Sequence, residues 1–155
     1  MFLIDHQYLP FATALIESAK KEILISTFKL EITDKPRGRA LFNFFNTLIK
    51  KRQAGVKIKI LFNCHDDRRS TPKTNFSSSA TLKKHGIDIR HLKDNRCCHA
   101  KTMIIDRQHA VIGSHNLSVM SCLSNFEISY IVEDLPSINA LSTVFDHSFN
   151  AAKPI

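Results

Sequence analysis

Two hydrophobic rhythms that cannot share an element alternate along this chain, and that alternation limits its folds more than any single residue does. Apolar residues recur at helical spacing over Phe11 to Lys20, and Glu22 to Leu30 then reads as a buried strand. Pro36 and Gly38 break the pattern over Thr33 to Gly38. A helix resumes over Arg39 to Arg52, with Leu41, Phe42, Phe44, Phe45, Leu48 and Ile49 along one face, and Ala54-Gly55 ends it. Val56 to Phe62 alternates and is rich in β-branched residues, which is the signature of a strand. Ala80 to His85 predicts a short helix closed by Gly86, and Ile87 to His91 a strand. Ala100 to Ile105 and His109 to Ile112 predict two short strands joined by a tight turn around Arg107-Gln108. Phe126 to Val132 adds a strand, and Ser137 to Phe149 a last amphipathic helix after Pro136. Helices and strands that alternate, with one hairpin inserted, imply an α/β class: an α/β/α sandwich around a central mixed β-sheet. At 155 residues and 43% apolar content the chain can bury one ordinary core, so residues 1–155 are expected to form a single domain.

Between the second and third of these strands lies a polar, basic stretch. Asn63 to Ser79 carries Arg68, Arg69, Lys73 and three consecutive serines, which predicts a surface loop able to meet substrate. The whole chain has 22 Lys and Arg against 14 Asp and Glu, a formal charge of +8, which attracts polyanions such as nucleic acid and also anionic lipid surfaces. Apolar runs are broken by lysines well short of the roughly 20 residues a membrane span requires. The N-terminus lacks a basic region followed by a long apolar stretch, so a cytoplasmic location is the expectation. Cys64, Cys97, Cys98 and Cys122 form no C-x-x-C pair, which favours reduced thiols; a zinc site from Cys64, His65, Cys97 and Cys98 lacks ligand spacing. Adjacent His65-Asp66-Asp67 reads as solvated loop charge rather than a metal cluster, and no metal or other cofactor is implied.

The chemistry concentrates in eighteen residues. His99-Ala100-Lys101 leads through Asp106 to Gly113-Ser114-His115-Asn116, the pattern H-x-K-x4-D-x6-G-S-x-N. Ordinary amino-acid usage would produce these six positions in about one chain in a million of this length, so the pattern demands an explanation. On extended backbone, residues two apart share a side, so His99 and Lys101 project together while Ala100 and Thr102 face the other way. A neutral imidazole can attack phosphorus, and an ammonium beside it neutralises the non-bridging oxygens. The hairpin returns Gly113 to Asn116 alongside; Gly113 permits close approach, Ser114 orients the network and the Asn116 amide can donate to a phosphate. Asp106, entering a tight turn, is read as structural. His109 and His115 are read as bystanders, and Phe42, Phe44 and Phe45 as core.

This pattern resembles the signature of the phospholipase D superfamily, and Asn125-Phe126-Glu127 looks like the Asn-x-Glu that many members carry downstream. The resemblance implies a phospholipase D-like fold. It also implies a two-step route without metal, in which a histidine attacks phosphorus to give a phosphohistidine, a second histidine protonates the leaving oxygen and water releases the product. In that scheme Glu127 accepts a proton from the far ring nitrogen of a histidine and holds its reactive tautomer. The route needs two motifs and this chain has one: His91-Leu92-Lys93 has Cys98 where the aspartate should fall and no Gly-Ser-x-Asn after it. The economical solution is a twofold homodimer with a shared cleft. Compactness and charge favour an endonuclease acting on DNA or RNA. A phospholipase or phosphatidyltransferase, and a silent nucleic-acid-binding module, are the alternatives.

Overall fold

The computed structural model describes residues 1–64, 71–93 and 96–155, with side chains at all of these except 71 and 72. Eight strands form one sheet, β1 (Phe2–Ile4), β2 (Glu22–Thr27), β3 (Lys57–Phe62), β4 (Asp88–His91), β5 (Thr102–Ile105), β6 (His109–Gly113), β7 (Ile128–Val132) and β8 (Lys153–Pro154), in the order β1-β7-β6-β5-β2-β3-β4-β8. β2, β3 and β4 are mutually parallel and the other pairings antiparallel, so the sheet is mixed. Five helices accompany it: α1 (Tyr8–Ser18), α2 (Arg39–Gln53), α3 (Thr71–Lys84), α4 (Val119–Leu123) and α5 (Leu135–Ala151).

Strand alternation sorts the core into two layers. Ile23 and Ile25, Ile58 and Ile60, Met103 and Ile105 join the cluster that includes Ile16 of α1, Phe44, Phe45 and Leu48 of α2 and Leu82 of α3. Their sequence neighbours Leu24, Leu61 and Ile104 turn the other way, onto Ile138, Phe145 and Phe149 of α5. The result is the expected α/β/α sandwich, with α5 alone on its second face.

Three departures from the sequence expectation have physical causes. α1 begins at Tyr8, ahead of Pro10, because a proline in the first helical turn removes only an N–H that had no intrahelical partner. β2 ends at Thr27 rather than Leu30; Leu30 leaves the ladder to bridge Leu117 while still fully buried. The stretch expected as a loop through Ser79 is helical from Thr71. Its inward face is polar, with Asn75, Ser78 and Ser79 buried and hydrogen-bonded, so no apolar periodicity announced it.

Candidate active site

Strand register places the site at one end of the central strands. Ser26 near the end of β2 lies opposite Thr102 at the start of β5, which faces Ile112, which faces Tyr130. The chain just before β5 is extended without being a strand, and the Gly113 N–H donates to the Lys101 carbonyl at 3.2 Å, carrying the hairpin one step past the ladder. His99 and Lys101 meet on one side: the Lys101 ammonium lies 3.1 Å from His99 Nδ1 and donates to the His99 carbonyl at 2.6 Å. Burial depresses the Lys101 pKa below the ordinary lysine value. With an ammonium donating to Nδ1, the proton of a neutral ring sits on Nε2. Attack through Nε2 therefore requires an acceptor to replace Lys101 at Nδ1.

A third side chain, absent from the sequence-level reading, completes this pair. The Phe28 ring lies 5.1 Å from the His99 ring at a 55° tilt, and the Lys101 ammonium sits 5.5 Å from its centroid. Phe28 is held by a clamp. The Asn75 amide donates to the carbonyls of Phe28 and Asn63 at 2.8 and 2.7 Å and accepts the Leu30 N–H at 2.8 Å. From the opposite direction Asn116 Oδ1 accepts the Lys29 N–H at 3.1 Å. That bond uses the Asn116 carbonyl and not its –NH2.

Gly113 is required by packing. A Cβ there would fall 2.4 Å from Ser129 Cα and 2.5 Å from the Ile128 carbonyl. Ser114 Oγ accepts the Ile128 N–H at 3.1 Å, and its hydroxyl also bonds the Glu127 carboxylate. Glu127 is buried and takes hydrogen bonds from Ser121 at 2.8 Å and Asn125 at 3.1 Å. Burial pushes its pKa up, but the bonds from Ser114, Asn125 and Ser121 and the proximity of His115 outweigh it, so the carboxyl sits below the ordinary value. Among the described residues no hydrogen bond joins Glu127 to His99 of the same chain. His115 is a buried brace: it stacks on Tyr8 at 4.4 Å, pairs with the Ser129 hydroxyl at 2.8 Å and reaches the Asp5 carbonyl at 3.0 Å.

Asp106 lies at the far end of the hairpin. Its carboxylate accepts the backbone N–H groups of Lys20, Lys21 and Glu22, each at 2.7 Å, and its φ is 53°. Arg68, Arg69, His65, Asp66 and Asp67 fall outside the described residues. Lys73 is exposed on the first turn of α3, two residues before Asn75. Cys64 Sγ lies 2.9 Å from His91 Nδ1, and no cluster able to hold a metal occurs among the described residues. No described helix is long and apolar enough to cross a membrane. His99 opens onto a cleft of about 300 Å³ beside α5, with Leu61, Ala100, Thr102 and Phe145 in its walls.

A histidine and a lysine set side by side at the ends of the central strands of an α/β/α sheet, with a hairpin ending in Gly-Ser-x-Asn, fall within the stretch of chain that a known family shares. Residues 12–149 match the family described as "Cardiolipin synthase, PLD-like domain", and the chain belongs to that family. It is 27% identical over 141 residues to cardiolipin synthase 1 of Staphylococcus epidermidis, covering 91% of this chain and 27% of that relative's length. Among solved structures, Nuc of Salmonella typhimurium, a phospholipase D family member, superposes with a TM-score of 0.80 at 17% identity, covering 100% of this chain and 97% of the other. TrmBL2, an archaeal chromatin protein with a novel mode of DNA binding, superposes at 0.64 with 18% identity, covering 99% and 54%. At these identities the superpositions establish a shared fold.

Proposed function

We propose that the chain is a metal-independent phosphodiesterase, most consistent with an endonuclease on DNA or RNA, working through a phosphohistidine at a site shared by two copies. The observation that carries this is the His99–Lys101 pair, with its 3.1 Å contact at the mouth of the cleft. His99 Nε2 attacks phosphorus while Lys101 and the Asn116 amide hold the non-bridging oxygens. His99 of the partner subunit protonates the leaving oxygen. Water then attacks the phosphohistidine, delivering its proton to that same imidazole and freeing His99. A carboxylate at Nδ1 is needed for the reactive tautomer; Glu127 is the candidate, and to serve it must exchange a bond it takes from Ser121 or Asn125.

The dimer reading draws support from a row of paired side chains on the α5 face of the sheet. Phe2, Tyr130 and Ile112 lie opposite one another across β1, β7 and β6, are 62%, 44% and 40% exposed, and lead to Thr102 at the cleft. Such a patch, continuous with an incomplete site, fits a second copy. The lipid alternative rests on the cardiolipin synthase relatives. Incubation in EDTA with plasmid, single-stranded DNA, RNA and phosphatidyl lipids, beside His99→Ala, tests the assignment. Nucleolysis by the wild type, lost in the variant, is expected. Lipid turnover alone, or rescue by Mg²⁺ of activity abolished by EDTA, would overturn it.

A further inference from the structure

The cleft at His99 continues along α5. A second cavity of about 190 Å³ is lined by Leu92, Lys93, Arg96, His147, Ser148 and Ala151, and it shares Leu92, Arg96 and Ser148 with the cavity that holds His99. The two differ in character. The first has an apolar floor that includes Leu61, Leu141 and Phe145, whereas the second gathers an ammonium, a guanidinium and an imidazole. No carboxylate occurs among the described residues lining either. Of the described acids nearby, Asp146 pairs with Arg107 at 2.8 Å and Lys59 at 3.9 Å, and Asp88 with Arg90 at 3.1 Å; Asp94, between Lys93 and Arg96 in sequence, falls outside the described residues. Lys93 and Arg96 belong to no ion pair among the described residues, and the Arg96 N–H donates to the Lys93 carbonyl at 3.2 Å.

We propose that this extension, built on Lys93, Arg96 and His147, is a subsite for the flanking phosphates of a polynucleotide strand whose scissile phosphate lies at His99. The inference rests on the phosphodiesterase reading and deepens it by naming the substrate. A lipid head group presents one diester at the end of an apolar body and has no further phosphate on the same chain to place along a basic trench. A nucleic-acid strand repeats the same anion at every nucleotide, so a site that grips one phosphate gains from cations placed along the direction of the next. The apolar floor between the two cationic regions suits the sugar and base that separate them.

The test is the salt dependence of binding. A short fluorescent single-stranded oligonucleotide is titrated in EDTA against full-length His99→Ala protein, with and without Lys93→Ala and Arg96→Ala together. The slope of log K against log salt should fall by roughly 1.4, about 0.7 for each lost phosphate contact, with affinity down about tenfold or more. Lys50→Ala with Lys51→Ala, the same charge change at the end of α2 on the opposite face of the sheet, controls for net charge and should leave the slope unchanged. An unchanged slope in the trench variant, an equal fall in the α2 variant, or trench-dependent binding of phosphatidylglycerol vesicles without oligonucleotide binding would overturn the proposal. Both trench residues are exposed, so the variants should fold; coincident thermal melts check this. Hydrolysis of bis(p-nitrophenyl) phosphate by the His99 protein separates the two levels. Wild-type turnover of that small diester with an unmoved binding slope defeats the subsite and spares the chemistry, and a moved slope without diester turnover does the reverse.

Discussion

At Asp106 one carboxylate closes three backbone donors at the start of β2, so this side chain ties the α1–β2 connection to the β5–β6 turn. Burial raises its pKa, but the N–H groups of Glu22, Lys20 and Lys21 lower it further, and the net value lies below the ordinary carboxylate. Its contribution to stability is thus present above about pH 4 and lost as pH falls through the depressed value. Asp106→Ala should destabilise by about 3 kcal/mol at neutral pH, from unmet donors and a left-handed backbone that alanine tolerates poorly. Asp106→Asn, which keeps one acceptor oxygen and accepts that backbone, should cost about half as much. Urea melts at neutral and acid pH measure both; equal stability of Asp106→Ala and wild type at neutral pH would contradict the tie. Lys101 gives a second prediction, for activity. In the proposed mechanism it acts as a cation, so turnover should fall as pH rises through its pKa. Because burial depresses that pKa, the alkaline limb should begin below the ordinary lysine value of about 10.4. A limb at or above that value in a pH–kcat profile would remove Lys101 from the role assigned to it.

Among the elements, α3 matters most to the site while touching none of the reacting groups. Its Asn75 joins the segment after β2 to the end of β3, and through Phe28 it fixes the wall against which His99 and Lys101 rest. Asn75→Ala would remove the acceptor of the Leu30 N–H and the donor to the Phe28 and Asn63 carbonyls. A loss of about 3 kcal/mol in chemical denaturation is expected, together with a fall in kcat exceeding any rise in KM. Wild-type stability would show that the clamp is dispensable. This element also marks where sequence stops being informative. α2 and β3 are legible because Phe44, Phe45 and Leu48, or Ile58 and Ile60, repeat with the period of their own backbone. α3 is not, because it buries amide and hydroxyl groups and so carries no hydrophobic rhythm. Phe28 is obscured for a related reason: the apolar run of β2 continues past Thr27, and the point where a chain leaves a ladder depends on partners distant in sequence, here Asn75, Asn116 and Leu117. His99, Lys101, Gly113 and Asn116 are legible because their chemistry and spacing are local. The surroundings of Glu127 depend on Ser121, Asn125 and Ser114 folding around it, and spacing alone does not contain that.

For the whole molecule the central claim is that one motif per chain makes half a site. The exposed row of Phe2, Tyr130 and Ile112 beside the single His99–Lys101 pair fits a surface that a second copy would cover. A two-histidine site admits one nucleophile and one acid at a time, which limits how many chains can carry the intermediate together. The most direct measurement is a rapid alkaline quench, in EDTA, of the protein turning over a diester with a nitrophenyl leaving group, followed by mass analysis of the peptide that contains His99. The account predicts a phosphoryl adduct on His99 in no more than half of the chains, and none in His99→Ala. Turnover with no histidine adduct, or adducts on every chain, would contradict it.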